Sequence, residues 1–454
     1  MSRRALLGAT AATGLGVALV GGLGSIFAGK ESGGPAARTA GYGPLVPDPA
    51  GRLSLPEGFR YRVVAEQGVT LLESGEPSPS DPDGAATFEH PSGAGSVLVC
   101  NHEIGGDEPF PVPHVDGLVY DGAAFGGTTT IEVDADGNLL RQYVSLAGTA
   151  TNCAGGRTPW GTWLSCEETE VVLDKPHGYV FEVDPHDREA NLDPRPIKAL
   201  GRFPHEAVAV DPEAWVLYLT EDAVLPHGLL YRWTPPGDIL PLVKGSLRGL
   251  GDEAGTLEAL RATADDGRHV EHLSQATDIG TTYRAAWVPV QDRDAAAVPV
   301  RAQFADDQVT RGRKLEGMWW GDGGAYVVSS YARPDDGSPE THDGQVWFLD
   351  PRTGTLTLRL RFAATPDADA DPDGPDNITV SPYGGVIIAE DGDGKVHLLG
   401  AAPNGEVFVL ARCETEGEAE FCGPVFSADG STLFANVQGP GYVFAVQGPF
   451  SQQS

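Results

Sequence analysis

Between Gly148 and Thr169 the chain reads GTATNCAGGRTPWGTWLSCEET. Cys153 and Cys166, Trp160 and Trp163, the Gly155–Gly156 pair and the adjacent Glu167 and Glu168 all fall in this stretch. A thiolate set among carboxylates suits a softer transition ion such as iron. Acid or soft ligands recur elsewhere: CNHE (100–103), NCAGG (152–156), SCEE (165–168), PHE (204–206), KLEG (314–317), and Asp376 with Glu390 flanking one hairpin. Each lies where an apolar stretch begins or ends. If those ends converge, the carboxylates repel, and burying an unpaired charge is costly. Bound cations relieve that cost, and carboxylate and amide oxygens suit Ca2+.

Taken singly, each group has a plainer reading. Cys153 alone would be an inert buried thiol. His102 and His205 would be satisfied structural residues or donors to ligands. Glu167 and Glu168 alternate in facing, so only one points inward. Trp160 and Trp163 read as core, and Asp391 and Asp393 as turn formers. The combination carries the metal reading.

The elements that must position these groups are short strands. GTTTIEVDADGNLLRQYVSL (127–146) reads as strand, Asp-Gly turn, strand. GYVFEVDP (178–185), GQVWFLDP (344–351) and GYVFAV (441–446) share one pattern. Residues 205–222, 376–392 and 423–439 share another, a strand–turn–strand unit. Degenerate repeats of this size suggest the blades of a β-propeller, with a β-sandwich array as the alternative. In a propeller the innermost strands line a channel, and strand-end carboxylates from several blades meet at its mouth. Residues 248–312 break the rhythm and read as an insertion, with GTLEALRATADDG as a short helix.

The 454 residues carry 31 Lys and Arg against 64 Asp and Glu, a net charge of −33. Such a chain repels nucleic acid and anionic lipid heads. Arg3 and Arg4 precede a run from Ala5 to Gly29 that has no charged residue and is rich in Gly and Ala. That is the form of a twin-arginine export signal over residues 1–29, too weakly apolar for a permanent membrane helix. Residues 30–50 read as a linker, 51–448 as the propeller domain and 449–454 as a tail. The translocase of that route is the one protein partner expected, with no nucleic acid and no stable membrane partner. The protein would be periplasmic, cell-surface or secreted. In an oxidising compartment Cys100, Cys166, Cys413 and Cys422 are enough for two bridges that leave Cys153 free, the alternative being five reduced thiols.

The segments GTATNCAGGRTPWGTWLSCEET, CNHE, GRFPHEAVAVDP…LYLTED, LEGMWW and FSADGSTLFANVQGPG together resemble the PhoX family of alkaline phosphatases. The resemblance runs from LSLPEGFRYRVV (53–64) to about residue 446. It implies an all-β fold, a six-bladed β-propeller with short helical insertions, exported by the twin-arginine route and holding an iron–calcium cluster. Carried over by position, the iron-binding cysteine is Cys153. The acidic ligands are Glu103, Glu168, Glu206, Glu316, Asp376 and Glu390, with Asn101 as an amide ligand beside them. Lys314 stands where relatives commonly have a phosphate-contacting arginine, and Gly439 where a histidine is frequent. Lysine supplies charge without the rigid fork of a guanidinium.

The expected activity is hydrolysis of small phosphate monoesters with Fe3+ and Ca2+ as cofactors, Lys314 contacting phosphate and Glu316 serving catalysis. No Gly-x-Ser-x-Gly motif occurs, in keeping with attack at a metal centre. The alternatives are another Ca2+-dependent propeller hydrolase, lactonase- or phytase-like, and a non-catalytic propeller stiffened by calcium.

Overall fold

The structure is a computed structural model that describes residues 41–452 except 107, 365–371 and 418. The export-signal reading therefore lies outside the described residues. Among those described, no helix is long and apolar enough to cross a membrane.

Six strands line the centre: Pro82–Glu89, Asn152–Arg157, His205–Val210, Leu315–Gly321, Pro375–Val380 and Phe421–Phe426. Each packs against the next, and the last returns to the first. The sheets radiate from one axis as a six-bladed β-propeller. The first blade continues outward through Ser96–His102, Gly126–Val133 and Leu139–Thr149, all antiparallel. The second has three strands, ending in Trp163–Glu167 and Val180–Val183. In the sixth, the early strand Arg60–Glu66 pairs with Tyr442–Gln447 and closes the ring by joining the two ends of the chain.

Burial follows from this geometry. Ser96–His102, Gly126–Val133 and His205–Val210 are buried along their whole length, because the flat faces of neighbouring blades cover both sides. The rim strand Thr355–Ala363 alternates buried and part-exposed positions, as one covered face requires. Near the axis the neighbouring inner strands almost touch. A Cβ on Gly156 would lie 2.0 Å from the Val208 carbonyl oxygen, and one on Gly317 would lie 2.6 Å from the Asn377 Cα. The glycines of CAGG and LEG permit that approach.

Two expectations are corrected. GTLEALRATADDG is not helical: Thr256–Thr263 is the outer strand of the third blade, and the next strand, Thr282–Pro289, bridges it to Thr355–Ala363 of the fourth. Its alternating burial shows a strand period that the Leu-Ala-rich composition masks. The helical insertions reduce, among the described residues, to single 3-10 turns such as Val300–Gln303. The end of the expected linker belongs to the body, since Leu45–Val46 pairs with Leu53–Pro56 and Tyr42 donates to the Phe450 carbonyl at 2.9 Å.

Candidate metal centre

All six inner strands slip register against their partners near their first residues. The irregularities fall between Pro82 and Ala85, Asn152 and Gly155, His205 and Val208, Leu315 and Met318, Pro375 and Ile378, and Cys422 and Val425. A bulge re-aims the side chain it contains. In five blades the residue just inside the bulge is a potential ligand: Asp83, Cys153, Glu206, Glu316 and Asp376. Two residues before four of these the backbone is left-handed, at Asp81 (φ 45°), Thr151 (46°), Lys314 (45°) and Gly374 (46°). For the three that are not glycine this is a strained conformation, of the kind that collects at functional sites. Five of the six blades thus place a potential ligand at the same local irregularity, and the sixth has Gly423 there.

Cys153, Glu168 and Glu206 bring one ligand atom each to within 4.8 Å of one another, and so do Glu206, Glu316 and Asp376. Glu206 belongs to both groups and joins them. Cys153, Glu206, Glu316 and Asp376 are at most 1% exposed. Asn377 donates to Asp376 Oδ1 at 3.1 Å and reaches Glu206 Oε1 at 3.5 Å. The Lys314 ammonium is 2.9 Å from Glu316 Oε1 and 3.6 Å from Asp391 Oδ2. One ammonium cannot balance three buried carboxylates crowded this closely. The thiol-plus-carboxylate donors on one side and the all-carboxylate donors on the other fit bound cations.

Glu390 takes no part in either group. Its carboxylate accepts from the backbone N–H groups of Asp373 and His397 and lies 2.7 Å from His397 Nδ1. Glu167 does the same in the second blade, accepting from Ala150, Gly178 and Tyr179 N–H and meeting His177 Nδ1 at 2.6 Å. Glu221 repeats it in the third, with Leu229 N–H, the Tyr231 hydroxyl and Arg301. These three stand opposite Pro375, Asn152 and His205, the residues just before Asp376, Cys153 and Glu206. They form a second set of carboxylates, which fastens strand ends. Burial pushes Glu221 up to about 7 and holds Glu390 well above the ordinary carboxylate range. Burial, with the Glu390 charge beside it, raises Asp373 to about 8.

Asn101 is also placed structurally. Its amide nitrogen donates to the Cys153 and Ala154 carbonyls, and its oxygen accepts from Trp163 Nε1 and Ser165 Oγ, each at 2.9 Å. Both ends of the amide are engaged, so it holds the Cys153 strand without facing the cluster. Glu103 lies with Asp83, the two sharing the Gln438 amide at 2.5 and 2.6 Å. Asp83 groups with Glu420 and Cys422. The sequence reading missed Asp83, although it stands in PDG as Glu206 stands in PHE.

His102 and His205 are fully buried, and burial lowers them to about 4 and about 3, so both are neutral structural groups. His227, His272 and Asp336 also cluster. There the Ser274 N–H donates to His272 Nδ1, which leaves the proton on His272 Nε2, 2.9 Å from His227 Nδ1. That is a hydrogen-bonded pair with no lone pair on His272 Nε2 for a cation. The expected disulfides are absent, since all five cysteines are free. Cys422 donates to the Pro82 carbonyl and Cys413 meets the Thr415 hydroxyl, so each thiol is settled locally.

A propeller whose bulged inner strands focus a thiol and several carboxylates on its axis is the frame of a metal-dependent hydrolase. The family model described as alkaline phosphatase PhoX matches residues 40–441, and the chain belongs to that family of metal-dependent alkaline phosphatases. Among solved structures it is similar to Pseudomonas fluorescens PhoX in complex with vanadate, a transition-state analogue. That match has 20% identity and a TM-score of 0.67, over 87% of this chain and 96% of that one. A gluconolactonase from Xanthomonas campestris matches at 14% identity and a TM-score of 0.44, over 91% of this chain and 99% of that one. The PQQ domain of a pyranose dehydrogenase from Coprinopsis cinerea matches at 11% and 0.42, over 88% and 98%. No curated protein matches the sequence.

Proposed function

We propose that this alkaline phosphatase hydrolyses small phosphate monoesters at an iron–calcium centre. Cys153, Glu168 and Glu206 hold the iron, and Glu206, Glu316 and Asp376 hold neighbouring cations, calcium among them. The observation that carries this reading is the single buried carboxylate, Glu206, shared between a thiol-containing group and an all-carboxylate group. Sulfur selects the softer ion and oxygen the harder. Bound cations supply electrostatic stabilisation of phosphoryl charge and acidify water. Lys314, at the edge of the cluster, places a positive charge where a phosphate dianion enters and orients it against Glu316. The vanadate held by the Pseudomonas relative mimics phosphoryl transfer and supports this class of reaction.

The protein reaches its compartment through the twin-arginine translocase, directed by residues 1–29 with Arg3 and Arg4. It acts outside the cytoplasm. That route exports folded proteins, which allows metal loading before export. Assay of a chromogenic phosphomonoester, before and after chelator treatment and with iron and calcium counted per chain, tests the reading. Turnover lost with the metals and restored on their return is expected. Undiminished turnover by a metal-free protein contradicts it.

A further inference from the structure

Arg301 sits in the turn Val300–Gln303, in the long connection between the third and fourth blades. Its side chain is 11% exposed, and its Nη1 donates to Glu170 Oε2 at 2.7 Å and to Glu221 Oε1 at 3.1 Å. Glu170 lies two residues beyond Glu168. Glu221 pairs with His205, the residue before Glu206. One guanidinium therefore ties the segment that carries Glu168 to the strand pair that carries Glu206.

The tie spans a boundary that needs one. The second and third blades are separate sheets, so no strand pairing fixes the distance between Glu168 and Glu206. Both carboxylates approach Cys153 there. Arg202 also reaches this segment, but through the Glu170 and His177 carbonyls, so it anchors only the backbone of the loop. Without Arg301, no side chain among the described residues would join the Glu170 carboxylate to that of Glu221, and the loop and the strand pair would lose the contact that holds them together. A guanidinium presents several N–H groups in a rigid plane and serves two carboxylates at once; an ammonium is a flexible point charge.

We infer that Arg301 is a positioning residue that sets the spacing of Glu168 and Glu206 across the boundary between the second and third blades. The inference rests on the reading of Cys153, Glu168 and Glu206 as metal ligands. Its test follows iron loss from the purified, metal-loaded protein under chelator, beside the visible absorption of the loaded protein, for wild type, R301A, R301K and E170Q. Groups that orient ligands typically change metal affinity by about tenfold or more. Iron loss about tenfold faster is expected in R301A, with R301K between it and wild type and a shifted absorption band in R301K. E170Q cuts one arm of the tie and leaves Arg301 on Glu221, so it is expected to release iron faster as well; it carries the test if R301A does not fold. R301K with wild-type release and an unshifted band would reduce Arg301 to a filler of space and charge, and overturn the inference. So would wild-type release from both R301A and E170Q. A wild-type protein that binds no cation contradicts the metal reading itself, a separate outcome.

Discussion

Cys153 and Glu206 hold the same place in adjacent blades: each is the residue just inside the bulge that opens an inner strand. The Cys153 sulfur lies 3.3 Å from the His205 carbonyl oxygen and 3.7 Å from that of Glu206. A thiol and a carboxylate 53 positions apart in sequence are neighbours because the propeller repeats one local irregularity around its axis. Asp83, Glu316 and Asp376 occupy the corresponding places in other blades. On the inner strands Cys153, Glu206, Glu316 and Asp376, inside the bulge, face the cluster, whereas Glu167, Glu221 and Glu390 on the second strands fasten strand ends, and this division gives the following expectations.

Glu316 stands on an inner strand and Glu390 on the second strand of its blade, so their amide variants should part company. E316Q is expected to lose bound cation and turnover together. E390Q should keep both and lose stability, by about 1–3 kcal/mol, the usual effect of disturbing a buried hydrogen-bonded group. Metal content and thermal midpoints of the two variants check this. Loss of metal from E390Q with its fold intact would return Glu390 to the ligand set.

Gly156 meets the neighbouring inner strand so closely that even a methyl group strikes backbone, 2.0 Å from the Val208 oxygen. G156A should cost about 1–3 kcal/mol, as overpacking does, or more because backbone yields less than side chains. The midpoint in denaturant reads it. An unchanged midpoint would mean that the blades are spaced more widely than described.

The Lys314 ammonium stands 2.9 Å from Glu316 Oε1, and the proposed function has it contact phosphate there. A hydrogen bond to a charged group contributes about 1.5–3 kcal/mol, so K314A should lower kcat/KM by roughly ten- to a hundredfold. K314R, which restores a fork, should lower KM relative to K314A and at least match the wild type. Steady-state kinetics on one phosphomonoester decide this, and an undiminished kcat/KM in K314A would remove Lys314 from the site.

The metal-stripped protein should lose stability as pH rises from about 7.5 to about 8.5, above the range in which unfolded histidines titrate. Glu221 and Asp373 have ordinary values of 4.5 and 3.8, raised on folding to about 7 and about 8. The folded state therefore holds protons that the unfolded chain has released, and their contribution fades through that window. His177 acts in the same direction, since the Glu167 and Asp121 contacts outweigh its burial and raise it above 6.5. Burial depresses seven histidines: His102, His205, His272 and His342 to about 4, 3, 3 and 4, and His186, His227 and His269 in the same direction, so all seven act on the acid side of the window, where their unfolded counterparts take up protons. Each group contributes at most about 1.4 kcal/mol per pH unit. Denaturation midpoints between about pH 7.5 and 8.5 check the slope, and a rising midpoint there would contradict it.

Much of this was legible in the sequence. Strand–turn–strand units with Asp, Gly and Pro at the turns fell where hairpins stand, because turn chemistry is local. Cys153, Glu168, Glu206, Glu316 and Asp376 were readable as one group from their resemblance to a known pattern. The rest depends on distances that spacing does not encode. Asn101 and Glu390 share the chemistry of ligands, but their hydrogen-bond partners come from segments far along the chain or across a hairpin. Asp83 sits in PDG, which reads as a plain turn until the bulge it occupies is seen to repeat. Thr256–Thr263 carries helix-forming residues, and its pairing with two strands overrides that preference.

Anomalous diffraction at the iron edge, from crystals of the purified protein, bears most directly on the proposed centre. A peak within bonding distance of the Cys153 sulfur and of Glu206, with further cation density toward Glu316 and Asp376, is the expected result. An iron peak elsewhere, or none while the Cys153 sulfur remains a buried thiol against the His205 carbonyl, would contradict it.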